Sequence, residues 1–128
     1  NADGKRCKLW HIELAGQVYP EGELVLPGYW DVGQEAVLVA KALGYRNLHL
    51  FGYDYSFIVE DGTTHAGVHN GPPSNRVYAK CGDRFYPTSD SLARGVMTFT
   101  QLMKDNSDLS LTLYSQGLLS QYLKVHYV

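Results

Sequence analysis

Long apolar runs, a cationic excess and cysteines at metal spacing are all missing from this chain. No apolar stretch approaches the about 18 residues a bilayer-spanning helix needs. The amino end carries no charged-then-apolar secretion signal, so the chain reads as cytoplasmic, with no membrane partner. The 11 Lys and Arg stand against 13 Asp and Glu, a formal charge of -2, and the basic residues are scattered. Duplex nucleic acid is held through several phosphate contacts, so no nucleic-acid partner is expected. Cys7 and Cys81 are the only cysteines. They lie far apart and outside any C-x-x-C spacing, which indicates neither a zinc site nor a redox motif. One disulfide or two reduced thiols remain, and a cytosolic chain favours the thiols. A G-x-S-x-G elbow and a Cys beside a plausible His are also missing, leaving nucleophilic hydrolysis without support.

What is present describes one globular unit. The 128 residues, 45% hydrophobic and 19% charged, suffice for a single core. Asn1 and Ala2 resemble the remnant of a cleaved tag, which makes residues 3–128 one domain, read as an excised part of a longer protein.

The chain alternates strands and helices. "CKLWHIEL" (7–14) and "ELVLPG" (23–28) are strand candidates bounded by Gly and Pro. "GQEAVLVAKAL" (33–43) predicts a largely buried helix with Ala36, Ala40 and Leu43 on one face and Val37 and Val39 widening it, ended by Gly44. "NLHLFGYDYS" follows so closely that an α/β unit is expected, its strand parallel to the one before the helix. Residues 60–76 show no periodicity and predict a long polar loop, a feature that tends to be functional. "VYAKCGDRFYPTS" (77–89) predicts a hairpin turning at Gly82 and Asp83. Thr88 or Ser89 then caps a helix whose Leu92, Val96, Phe99 and Met103 share one stripe. "DLSLTLYS" (108–115) alternates as a strand, and Gly117 opens a final helix with Leu118, Leu119, Tyr122 and Leu123.

The stretch "LFGYDYSFIVEDGTTHAG" (50–67) gathers an acid, hydroxyls and a histidine after an apolar strand. Asp54 falls where that strand turns polar, the carboxyl edge at which ligands of open α/β sheets collect. It equally suits capping the loop through backbone N–H groups. His65 has an imidazole suited to proton transfer near neutrality, and also fits a plain exposed loop residue. Its spacing to His69 is not diagnostic of zinc. "PGYWDVGQEA" (27–36) is a Gly-containing turn feeding a helix start, where Gly33 and Gln34 could meet an anion. It is neither G-x-G-x-x-G nor a Walker loop. Thr88 and Ser89 are caps first and ligand contacts second. Ser56 and Ser115 could face the same rim.

In order, "VGQEAVLVAKALGYRNLHLFGYDYSF", "THA", "GDRFYPTSDSLARGVMTF" and "YSQGLL" resemble the carboxyl-terminal half of the MptE-like domain, over roughly residues 25 to 123. That superfamily includes a hydroxymethylpterin pyrophosphokinase and the flagellin motility accessory factors. Its pattern, G-x-D-x-S, H-A and G-x-x-x-x-T-S, falls here on Gly52, Asp54, Ser56, His65, Ala66, Gly82 and, slightly shifted, Thr88 and Ser89. The family's amino-terminal nucleotide loop has no counterpart in this chain.

The resemblance implies a Rossmann-like three-layer α/β sandwich with a mostly parallel sheet, here joined by the hairpin and the long loop. It also implies a transferase that takes a small phosphorylated donor, a nucleotide or nucleotide-sugar. In that reading Asp54 binds magnesium or a sugar hydroxyl and His65 moves a proton. Gly33, Gln34, Ser56, Thr88, Ser89 and Ser115 border the donor. The remainder of a longer protein, or further copies of the chain, would be its partner. A non-catalytic binding or assembly module, in a phage or surface-glycan setting, is the alternative. A dehydrogenase fragment ranks behind both, for want of a glycine fingerprint.

Overall fold

The computed structural model describes residues 10–13, 15–57 and 76–126. Among these the chain forms strands β1 (Trp10–Ile12) and β2 (Leu24–Leu26), helix α1 (Val32–Ala42) and β3 (Asn47–Phe51). The hairpin β4 (Val77–Cys81) and β5 (Arg84–Thr88), helix α2 (Asp90–Asp105), β6 (Ser110–Tyr114) and helix α3 (Leu118–His126) complete it. The loop expected at 60–76 falls almost wholly outside the described residues.

The architecture is mixed α/β. β1 runs parallel to β2, β3 parallel to β6 in the register Asn47 to Ser110 through Phe51 to Tyr114, and β4 antiparallel to β5. The short connection after α1 suggests that β3 should lie parallel to β2. Instead β2 takes β1 and β3 takes β6 as ladder partners. Connection length constrains direction, whereas pairing is chosen by distant residues that bury the same leucines.

Each helix boundary has a local cause. Asp31 caps α1 by accepting the Gln34 N–H at 2.9 Å, and Ser89 caps α2 by accepting the Leu92 N–H at 3.2 Å. α1 ends as a Schellman turn: Gly44, at φ +99°, bonds through its N–H to Lys41 O, and Tyr45 N–H reaches Ala40 O. Only glycine adopts that backbone without strain.

The core gathers along the stripe expected of α2. Phe99 and Leu102 are fully buried, joined by Val96, Leu50, Leu118, Leu119, Val37 and Leu38, each such side chain stabilising the fold by about 2 kcal/mol. α1 buries Val37 as expected but turns most of the expected face outward. Its buried residues are Gln34, Glu35, Val37 and Leu38, while Ala36 and Leu43 are exposed. A helix apolar nearly all round carries little directional signal, so the polar contacts of Gln34 decide which side goes inward.

The parallel pair β3–β6 has two unlike faces. Leu48, Leu50, Leu111 and Leu113 point to the core. His49, Phe51 and Tyr114 point outward, with Phe51 and Tyr114 stacked at 4.5 Å and 68% and 50% exposed. Among the described residues no helix is long and apolar enough to cross a membrane. Cys81 is a buried free thiol.

Candidate functional site

The chain between β3 and the segment at 58 leaves the sheet through Gly52, at φ +75°. Loop 52–57 then touches the start of every described helix. Tyr55 is at its centre. It is the one non-glycine among the described residues in the left-handed region, at φ +53°, a conformation that persists only where surroundings enforce it.

Three contacts enforce it. The Tyr55 hydroxyl donates to Asp31 Oδ2 at 2.6 Å and accepts from Gln34 Nε2 at 3.0 Å. The Tyr55 carbonyl accepts the Thr88 hydroxyl at 2.9 Å. Its ring lies so close over Gly95 of α2 that an added Cβ would collide with it, which explains a glycine inside an otherwise good helix. Burial first, and then the bond to Asp31, pushes the Tyr55 phenol well above the ordinary tyrosine range.

Asp54 and Ser115 sit at the carboxyl ends of β3 and β6. The Ser115 hydroxyl donates to Asp54 Oδ1 at 2.7 Å and accepts the Gly117 N–H at 3.2 Å. Ser56 Oγ accepts the Leu118 N–H, and the Asp54 carbonyl accepts that of Leu119, both at 3.2 Å. Gly117 packs directly on the Asp54 backbone, leaving no room for a Cβ. Loop 52–57 therefore serves as the cap of α3, with the partly buried Asp54 carboxylate held beside the positive end of that helix.

The structure thus joins Asp54, Ser56 and Ser115 at one edge. Gly33 and Gln34 meet the same loop from α1: the Gly33 carbonyl accepts the Tyr53 hydroxyl at 2.8 Å, and Gln34 is 0% exposed. Thr88 is equally buried and reaches the loop through Tyr55. Ser89 stays on its own helix as a cap. Each of these polar groups has a structural partner, and the first N–H groups of α3 are bound within the chain. His65, with Thr63, Thr64 and His69, lies outside the described residues.

Two features escape a sequence reading. One is Tyr55 as the point joining α1, α2 and loop 52–57. The other is Asp31, whose spacing to Gln34 at the third helical position is that of a capping box. That spacing was the available signal, because a glutamine there bonds back toward the chain before the helix. Trp30 N–H indeed meets Gln34 Oε1 at 3.4 Å.

Among the described residues no three His, Cys, Asp or Glu side chains cluster to hold a metal. One carboxylate with neighbouring hydroxyls suits magnesium shared with a ligand's phosphates rather than a resident metal. In comparison with known proteins, the chain matches no family model, no curated protein and no solved structure.

Proposed function

We propose that the chain is a nucleotide- or nucleotide-sugar-binding transferase domain of the MptE-like type, part of a Rossmann-like sandwich that further strands would complete. The observation that carries the reading is the meeting of Asp54 and Ser115 at 2.7 Å, from the ends of two parallel strands and beside the start of α3. In α/β proteins this edge is where phosphorylated ligands collect.

Asp54 is the residue that engages the donor, through a sugar hydroxyl or through magnesium shared with the donor's phosphates. Bound there, magnesium would offset the phosphate charge that a bare carboxylate repels. Ser115 holds the carboxylate in place, and Ser56 fixes the loop against α3. His65 supplies proton transfer. The start of α1 is less suited to phosphate directly, since Asp31 and Glu35 bring negative charge to it.

Titration calorimetry of the chain with CMP and with cytidine, uridine and guanosine diphosphates, with and without magnesium, tests this. Asp54→Asn keeps an acceptor for Ser115 and removes the charge. The expected result is magnesium-dependent heat with one of the nucleotides, weakened tenfold or more in Asp54→Asn. Heat from none of them overturns the reading.

The exposed rings of Phe51 and Tyr114 favour a second reading, a non-catalytic assembly module. Parallel strands are ordinarily covered on both faces, and these rings mark the face a neighbour would cover. In that case nucleotides give no heat, and replacing both rings by serine alters sedimentation of the assembled protein.

A further inference from the structure

We infer that a pocket at the opposite end of β3 and β6 from Asp54 binds a free α-amino acid with an apolar side chain, its carboxylate on Lys41 and Arg46 and its ammonium on Asp105. A cavity of about 570 Å³ lies between the last turns of α1 and α2 and the chain leaving β2, within the size range of small-molecule pockets. Arg46 immediately precedes β3, and its carbonyl accepts the Ser110 N–H at 2.8 Å, which puts the cavity beside the amino ends of both strands. The buried Leu26 and Leu38 and the exposed Pro27 and Ala42 give it an apolar lining.

Charged groups of both signs line the cavity within reach of solvent. The Lys41 side chain is 28% exposed, that of Arg46 is 47% exposed, and Asp105 is exposed as well. The two cations converge on a single carboxylate outside the lining: Lys41 Nζ meets Asp108 Oδ1 at 2.6 Å, and Arg46 Nε meets Asp108 Oδ2 at 3.2 Å. One negative charge thus answers two positive ones. Lys41 gives a second N–H to Asn106 Oδ1 at 2.9 Å, and Arg46 Nη1 donates to Lys41 O and Tyr45 O at 2.8 and 2.9 Å. The third Lys41 N–H and the Arg46 Nη2 group have no partner among the described residues. Two cations held in place with donors to spare suit a second carboxylate.

Asp105 supplies the opposite charge. The Tyr29 hydroxyl donates to its Oδ2 at 3.0 Å and Gln101 Nε2 to its Oδ1 at 2.7 Å, which fixes the carboxylate and leaves each oxygen able to accept again. Asp105 also ends α2, where the terminal carbonyls add to its attraction for a cation. Its neighbour Asn106 is the residue that Lys41 bonds, so the two signs lie close together. A simple carboxylate would be repelled by Asp105, and a simple amine by Lys41 and Arg46. An α-amino acid carries both charges on one carbon and meets a counter-charge at each, while its side chain covers the apolar lining. The pocket therefore selects a zwitterion.

The test follows the chain by two-dimensional NMR with leucine, with isocaproate, which is leucine without its ammonium, and with isoamylammonium, which is leucine without its carboxylate. Leucine should produce saturable shifts at the amides of Lys41, Arg46 and Asn106 and bind about tenfold tighter than either fragment. Arg46→Gln should weaken leucine and isocaproate severalfold and spare isoamylammonium. Asp105→Asn, which keeps an acceptor for Tyr29, should weaken leucine and isoamylammonium and spare isocaproate. Both changes are at exposed positions, and if one variant does not fold the other decides. Equal binding of the three probes, no binding of any, or leucine binding that neither variant alters would overturn the inference.

Discussion

Gln34 and Glu35 are neighbours on one helix, both buried, and their surroundings could hardly differ more. Gln34 Nε2 lies within 2.9 to 3.3 Å of Asp31 Oδ2, the Tyr55 hydroxyl, Gly95 O and Thr98 Oγ1. Glu35, one position on, leaves an oxygen with nothing. A satisfied buried polar group specifies how elements dock, because every alternative arrangement strands its partners. An unsatisfied one adds no such constraint and carries a desolvation cost with nothing to offset it. The first group explains how the elements dock, and the second only costs stability.

Substitutions can break that contrast on the side of the network. Gly95→Ala should have the largest effect, since the new methyl displaces the Tyr55 ring and with it the bonds to Asp31, Gln34 and Thr88. We expect a loss of about 3 kcal/mol in urea unfolding, with Gly117→Ala close behind through its collision with Asp54. Gln34→Leu should cost about 2 kcal/mol by removing the buried amide that links Asp31, the Tyr55 hydroxyl and Gly95 O. Thr88→Val, which removes one buried hydroxyl donor, should cost about 1 kcal/mol. Glu35→Gln sharpens the contrast from the other side: stability should stay within about 0.5 kcal/mol of wild type or rise, because the amide keeps an acceptor for the Tyr29 N–H and removes a buried charge with one unpartnered oxygen.

Alkaline titration gives a smaller and separate signal. Burial and then the Asp105 carboxylate push the Tyr29 phenol from its ordinary 10.0 up to about 12. The folded state thus retains a proton that the unfolded chain loses, so this contribution is intact below pH 10.0 and disappears as pH rises toward about 12. Thermal melts over that window should fall less steeply for Tyr29→Phe than for wild type.

Much of the secondary structure was legible because its signals are local. The stripe from Leu92 to Met103, the hairpin turning at Gly82, and Gly44 after α1 each follow from a period or from a backbone conformation that one residue type favours. Strand pairing was not legible. β3 and β6 are separated by the hairpin and α2, and nothing in either strand's alternation names the other. The inward side of α1 was misread for a related reason: Ala36, Ala40 and Leu43 look as buriable as Val37 and Leu38 until Gln34 finds Tyr55.

The candidate site was half visible. Asp54, Ser56 and Ser115 do converge, since a polar turn after a parallel strand has few places to go. Their hydrogen bonds to α3 were invisible, because Ser56 and Ser115 look alike in sequence whether they cap a helix or face a ligand.

The central claim is that Tyr55 and Gln34 act as one unit that docks the first two helices on the loop after β3. A double-mutant cycle of Gln34→Ala and Tyr55→Phe, read by urea unfolding, measures it most directly. We predict a coupling of about 1 kcal/mol or more between the two positions. Additivity to within about 0.3 kcal/mol would contradict the account, because the two side chains would then support the fold independently.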